Sequence, residues 1–153
     1  MHPIKHKKNK EPRQYTESQE QKKFFKLLYV KYPKLRHYCF SIPNAGKRAP
    51  TEAKRMKAEG LTKGVLDCML AYPSGKYAGL FIEFKSEKGT LTSEQKQMFY
   101  RLCAVGYRCF VCRTADDAMT RVEEYLEAAN DKPNKFTSPI YLMKAGQALE
   151  GKG

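Results

Sequence analysis

Tryptophan is absent from this chain of 153 residues, so aromatic bulk falls to ten tyrosines and eight phenylalanines. No apolar run approaches the roughly 20 residues of a membrane-spanning helix, and no transmembrane segment is expected. The start of the chain, Met1 to Lys10, carries charge with no apolar stretch behind it, which argues against a secretory signal. Acidic residues are scarce: 16 Asp+Glu face 29 Lys+Arg, for a formal net charge of +13. A domain this basic points to a polyanionic partner, and nucleic acid is the first candidate. Cysteine is sparse and odd in number, with five residues. Cys109-Phe110-Val111-Cys112 has C-x-x-C spacing, but no second C-x-x-C or Cys/His pair accompanies it. On a strand its two thiols point to opposite faces. Buried, reduced thiols of a cytosolic protein are therefore expected, not a zinc or redox centre.

What remains is enough for one ordinary domain, since hydrophobic residues make up 41% of the chain. Residues 1–14 read as a disordered basic arm that either lies along phosphates or solubilises the chain. Residues 15–129 read as the folded domain. Residues 130–153 read as a mobile polar tail with one short apolar element, Ile140-Tyr141-Leu142-Met143.

Within the domain, Thr16 caps a first helix that Pro33 ends. Residues 37–42 form a strand, and Pro43-Asn44-Ala45-Gly46 a turn. Pro50 opens a short helix through Ala58, with Gly60 as its C-terminal stop. Residues 64–71 and 77–85 form an antiparallel hairpin around Tyr72-Pro73-Ser74-Gly75-Lys76. Thr92 or Ser93 caps a third helix stopped by Gly106. A strand over 107–113 and a last helix from Thr114 to about Ala129 follow. The order α-β-α-β-β-α-β-α describes an α/β fold, a mixed β-sheet flanked by helices.

The chemistry concentrates in Ile82-Glu83-Phe84-Lys85, with Asp67 sixteen residues before Glu83. Glu83 and Lys85 share one face of a strand flanked by apolar residues, where unpaired charge is costly. An exposed ion pair is the competing reading. Two acids and a lysine converging at strand ends favour a divalent-metal site. Mg²⁺ takes carboxylate oxygens and few protein ligands, so Asp67, Glu83 and the Phe84 backbone carbonyl are candidate ligands. Lys85 is the group that orients water or stabilises developing charge. An acid of the first helix, Glu20 or Glu17, approaches the same site, and Glu20 is preferred because it lies beside the buried face. Lys47, Arg48, Lys54, Arg55, Lys57 and Lys63 are candidate phosphate contacts, and Asn44 is either a simple turn residue or a DNA contact through that turn. Tyr38, Tyr72 and Tyr77 either pack or stack on unpaired bases.

These residues resemble the VRR-NUC (virus-type replication-repair nuclease) domain of the PD-(D/E)XK nuclease superfamily. The resemblance covers roughly residues 16–127. Its carriers are Ser18-Gln19-Glu20-Gln21, Ile42 to Arg48, Gly60 to Asp67, Ile82-Glu83-Phe84-Lys85, Gln95 and Gly106-Tyr107. It implies a restriction-endonuclease-like core and Mg²⁺- or Mn²⁺-dependent hydrolysis of DNA. Asp67 and Glu83 become metal ligands, Lys85 the catalytic lysine, Glu20 the helical acid, and Gln95 a catalytic-site glutamine. Gln95 also completes a capping box with Thr92, which is its competing role. The family usually has proline where this chain has Leu66, and leucine can adopt the same backbone angles. Stand-alone members imply a homodimer acting on branched or Holliday-junction DNA. The expected setting is the cytoplasm of a bacterial or phage-infected cell.

Overall fold

The computed structural model describes residues 16–43 and 49–128. The basic arm, the C-terminal tail with Ile140–Met143, and Asn44, Lys47 and Arg48 lie outside the described residues.

Helix α1 (Glu17–Lys31) starts at Thr16, whose Oγ1 accepts the Gln19 amide while Gln19 Oε1 accepts the Thr16 amide. This reciprocal cap satisfies two amides that a helix start otherwise leaves open. Phe24 and Leu28, one turn apart, are fully buried. After Pro33 the chain winds into a short 3₁₀ helix, Pro33–His37, and then enters β1 (Cys39–Ser41). The expected strand over 37–42 is thus shorter, because proline's fixed φ nucleates a helical turn that consumes His37.

Helix α2 (Pro50–Ala58) buries no residue. Strand β2 (Cys68–Leu70) is also shorter than expected. Gly64 takes φ +80°, which breaks the extended run, and Asp67 lies in a bend just before the strand. Strand β3 (Leu80–Phe84) is buried at all five positions. Helix α3 (Ser93–Ala104), strand β4 (Arg108–Cys112) and helix α4 (Ala115–Glu127) complete the fold. The element order is the expected one.

The sheet order is β1-β2-β3-β4. β1/β2 and β2/β3 pair antiparallel, and β3/β4 pair parallel, joined through α3. A parallel pair needs such a crossover, and it places helices on both faces. On one face Phe24 and Leu28 of α1 and Val122 and Tyr125 of α4 cover Leu80, Ile82, Phe84 and Cys112. On the other, Leu66, Phe81 and Cys109 pack beneath Phe99 and Leu102 of α3. Burying side chains such as Phe24 and Phe84 is worth about 1.5–3 kcal/mol each. Cys109 and Cys112 enter opposite layers, as strand alternation requires. Among the described residues no helix is long and apolar enough to cross a membrane.

Candidate active site

Strand β3 sits between β2 and β4, so its C-terminal end is walled on both sides. Phe84 points into the α1/α4 layer, against Phe24. Glu83 points the other way, toward α3, and is 1% exposed. Lys85 follows on the same side, and its Nζ lies 2.7 Å from Glu83 Oε1. Gln95 Nε2, from the first turn of α3, donates to that same oxygen. Glu83 Oε2 is buried with no hydrogen-bond partner.

Asp67 reaches the site through register. Cys68 pairs with Ile82, so the residue before Cys68 falls beside Glu83. Asp67 Oδ2 accepts the Phe84 amide N–H at 2.8 Å. The Asp67 carbonyl accepts the Ile42 amide at 2.8 Å, which ties the bend to the end of β1. Leu66 is fully buried beneath α3. The position held by proline in the resembling family is therefore anchored here by side-chain packing.

The electrostatics follow from this crowding. Burial is the largest influence on Glu83 and pushes its carboxyl above the usual range; the Lys85 hydrogen bond opposes it, and Asp67 adds to the rise. For Lys85, desolvation works to lower the pKa, but the hydrogen bond and charge of Glu83 outweigh it, and Glu17 adds to them. The net shift is upward, so Lys85 is an ammonium aimed into the site.

The helical acids separate. Glu20 is buried, and its Oε2 accepts the Ala115 amide at 2.7 Å. It caps the start of α4, where a carboxylate also meets the positive end of the helix dipole. Glu17 Oε1 accepts the Ser86 amide at 2.8 Å, one residue past Lys85. Arg113 Nη1 donates to the carbonyls of Ser86 and Gly89, closing the same loop from the β4 side. Glu17, the less favoured acid in the sequence, is thus the one brought next to Lys85. Helical spacing does not separate the two, since residues three apart share a face.

Gln95 makes the capping box and also reaches Glu83. Its Oε1 accepts the Thr92 amide at 3.0 Å as part of a capping box, which leaves Nε2 for Glu83. Gly64 permits this docking. A Cβ there would stand 2.5 Å from the Glu94 carbonyl carbon and 2.8 Å from the Gln95 amide nitrogen.

Phe84, whose carbonyl is a candidate ligand, is tied to Asp67 through its N–H. Lys54 and Lys57 are exposed on α2, Arg55 pairs with Glu59, and Lys63 is exposed in the loop leading to Asp67. Tyr38 and Tyr72 form an exposed edge-to-face pair, while Tyr77 packs against Tyr125.

The fit to a divalent ion can be judged from the oxygens. Among the described residues no three His, Cys, Asp or Glu side chains gather at metal-holding distance. Yet a buried carboxylate oxygen without a partner costs about 1–3 kcal/mol. Glu83 Oε2 is such an atom, beside a second carboxylate, and hard oxygen donors suit Mg²⁺ or Mn²⁺. The residues present fit such an ion.

The sequence profile of the VRR-NUC domain matches residues 7–116. The chain belongs to the VRR-NUC family. A solved structure described as a VRR_NUC domain protein superposes with a TM-score of 0.67 at 24% identity, over 77% of this chain and 93% of that one. At that identity the likeness establishes the VRR-NUC fold. No curated protein matches the sequence. VRR-NUC membership makes the chain a nuclease of the PD-(D/E)XK type, with DNA as its implied substrate.

Proposed function

We propose that this protein is a divalent-metal-dependent DNA endonuclease whose site is built from Asp67, Glu83, Lys85 and Gln95. The observation that carries this reading is Glu83, buried beside Asp67: Lys85 and Gln95 hold its Oε1, and its Oε2 is left without a partner. Asp67 and Glu83 would hold Mg²⁺ or Mn²⁺, and Glu17 is the helical acid best placed to assist them. When bound, the ion supplies charge neutralisation at the phosphate and an acidified water. Lys85 presents a fixed positive donor to the phosphate oxygens as charge builds there. Gln95 keeps Glu83 in one orientation, and the Phe84 amide does the same for Asp67. Lys54, Arg55, Lys57 and Lys63, with Asn44, Lys47 and Arg48, contact the DNA backbone around the site.

The folded unit, residues 15–129, acts as a homodimer on branched DNA. Support for pairing comes from β1, an edge strand that leaves Phe40 45% exposed beside Tyr38 and Tyr72. An exposed apolar edge of this kind is a template for association.

The test is cleavage of a four-way junction, a flap and a linear duplex at one salt concentration, with Mg²⁺ or Mn²⁺ and with chelator. Wild type runs beside Asp67→Ala and Lys85→Ala. Metal-dependent cleavage that both substitutions abolish, fastest on the junction, is expected. No cleavage by wild type, or full cleavage by both variants, contradicts the enzyme reading. Equal rates on all three substrates contradict branch preference, and a monomer by light scattering contradicts the dimer.

A further inference from the structure

An open cavity of about 330 Å³ lies between the end of β1 and helix α2. Its walls are Ile42, Pro43, Met56, Leu61 and Val65, with Glu59 and Thr62 at its polar side. Four features bear on what enters it. The cavity adjoins the candidate active site, because Ile42 is bonded through its amide to the Asp67 carbonyl and Val65 is two residues from Asp67. Its apolar walls are unlike the charged surface around them: Lys54, Arg55, Lys57 and Lys63 are all exposed on the same segment. Its far wall, α2, buries no residue in the core, although Leu61 bonds back to Met56 and closes the helix end over the cavity. Finally, Glu59, paired with Arg55 at 2.6 Å on the surface of α2, puts a carboxylate acceptor at the polar side.

An apolar slot on a segment whose lysines, Lys54, Lys57 and Lys63, are exposed, beside a phosphodiester-cleaving site, matches the two halves of a nucleotide. The flat apolar base takes the slot, and the phosphates stay outside it on the lysines. A base inside a duplex cannot reach such a slot without leaving its stack, whereas an unpaired one can enter at little cost. We propose that this cavity receives one unpaired nucleobase next to the scissile phosphate, which directs the nuclease to DNA with an unstacked nucleotide at the cut. The slot rests on the nuclease reading above for its position relative to cleavage, but not for its ability to bind a base.

The experiment places 2-aminopurine at successive positions of a single-stranded oligonucleotide and of a four-way junction. Binding is read by fluorescence with Lys85→Ala, so that strand cutting does not intrude. At one position a change of at least ~2-fold is expected, as for a base moved between stacked and extruded states. Leu61→Trp and, independently, Met56→Trp fill the slot and are expected to abolish that change, each variant being checked for an unchanged far-ultraviolet spectrum. Lack of any position-specific change, or a change that survives both fillings, overturns the proposal. Wild-type cleavage with Mn²⁺, run alongside, reports separately on the nuclease reading: its absence removes the enzyme and leaves the fluorescence result to decide the slot.

Discussion

Gln95 and Glu83 are joined by one hydrogen bond, from the side-chain amide at the start of α3 to a buried carboxylate on the central strand. The other end of the same amide caps α3. One side chain therefore sets both where the helix begins and how the carboxylate points. Gln95→Ala loses both contacts. It is expected to cost about 1–2 kcal/mol, as capping losses do, and to slow cleavage. Gln95→Glu keeps the cap acceptor but sets a second carboxylate against Glu83, so it should retain more stability and lose as much activity. Thermal melting and cleavage rates on the same preparations check both.

Glu17 and Glu20 offer a sharper division. Glu20 serves the start of α4, and Glu17 serves the loop after Lys85. Glu20→Ala leaves a buried amide unpaired and should cost about 1–3 kcal/mol in denaturant unfolding. Its cleavage rate, measured well below the melting temperature, should change little. Glu17→Ala should do the reverse, with a large fall in rate and a small change in stability.

Gly64→Ala tests the docking of α3. Its φ of +80° strains any side chain, and the added Cβ would stand 2.5 Å from backbone atoms of Glu94 that have no freedom to swing aside. A loss of about 1–3 kcal/mol is expected from the strain, together with reduced cleavage as Gln95 is pushed off Glu83. Gly60→Ala is a useful contrast. Its φ is also positive, but nothing lies within 4 Å, so it should cost stability without the same fall in rate.

The buried thiols set an alkaline limit. Burial pushes Cys39 and Cys112 up to about 12 from 9.0. Unfolded thiols ionise near ~8.5, while the folded ones stay protonated. Stability is therefore complete below that point and falls as pH rises toward about 12. Unfolding midpoints measured from pH 7 to 11 should decline above pH 9, and less steeply in Cys39→Ala/Cys112→Ala after allowing for its lower starting stability. In the native state only Cys103, the exposed one, should react promptly with a thiol reagent.

Much of this was legible in the sequence. Thr16, Thr92, Pro33 and Gly106 mark element ends by local chemistry, so the order of elements could be read. That Asp67 and Glu83 lie on neighbouring strands could be read from the hairpin, but the register that sets Cys68 opposite Ile82 could not, because β3 is buried on both faces. Glu17 and Glu20 were not separable. Both sit on one helical face, and their partners, Ser86 and Ala115, lie 69 and 95 residues away. Strand lengths were overread for a related reason: Gly64 and the 3₁₀ helix at Pro33 interrupt extended chain in ways that composition leaves open. The double role of Gln95 looked like a choice because a spacing rule sees one contact at a time, and an amide has two ends.

The central claim is that Glu83 and Asp67 form a divalent-ion site, and Mn²⁺ titration by electron paramagnetic resonance tests it without DNA or turnover. Wild type should bind Mn²⁺ specifically, and Glu83→Gln should bind at least ~10-fold more weakly, the scale of losing a ligand contact. Equal binding by wild type and Glu83→Gln, with both folded, contradicts the account.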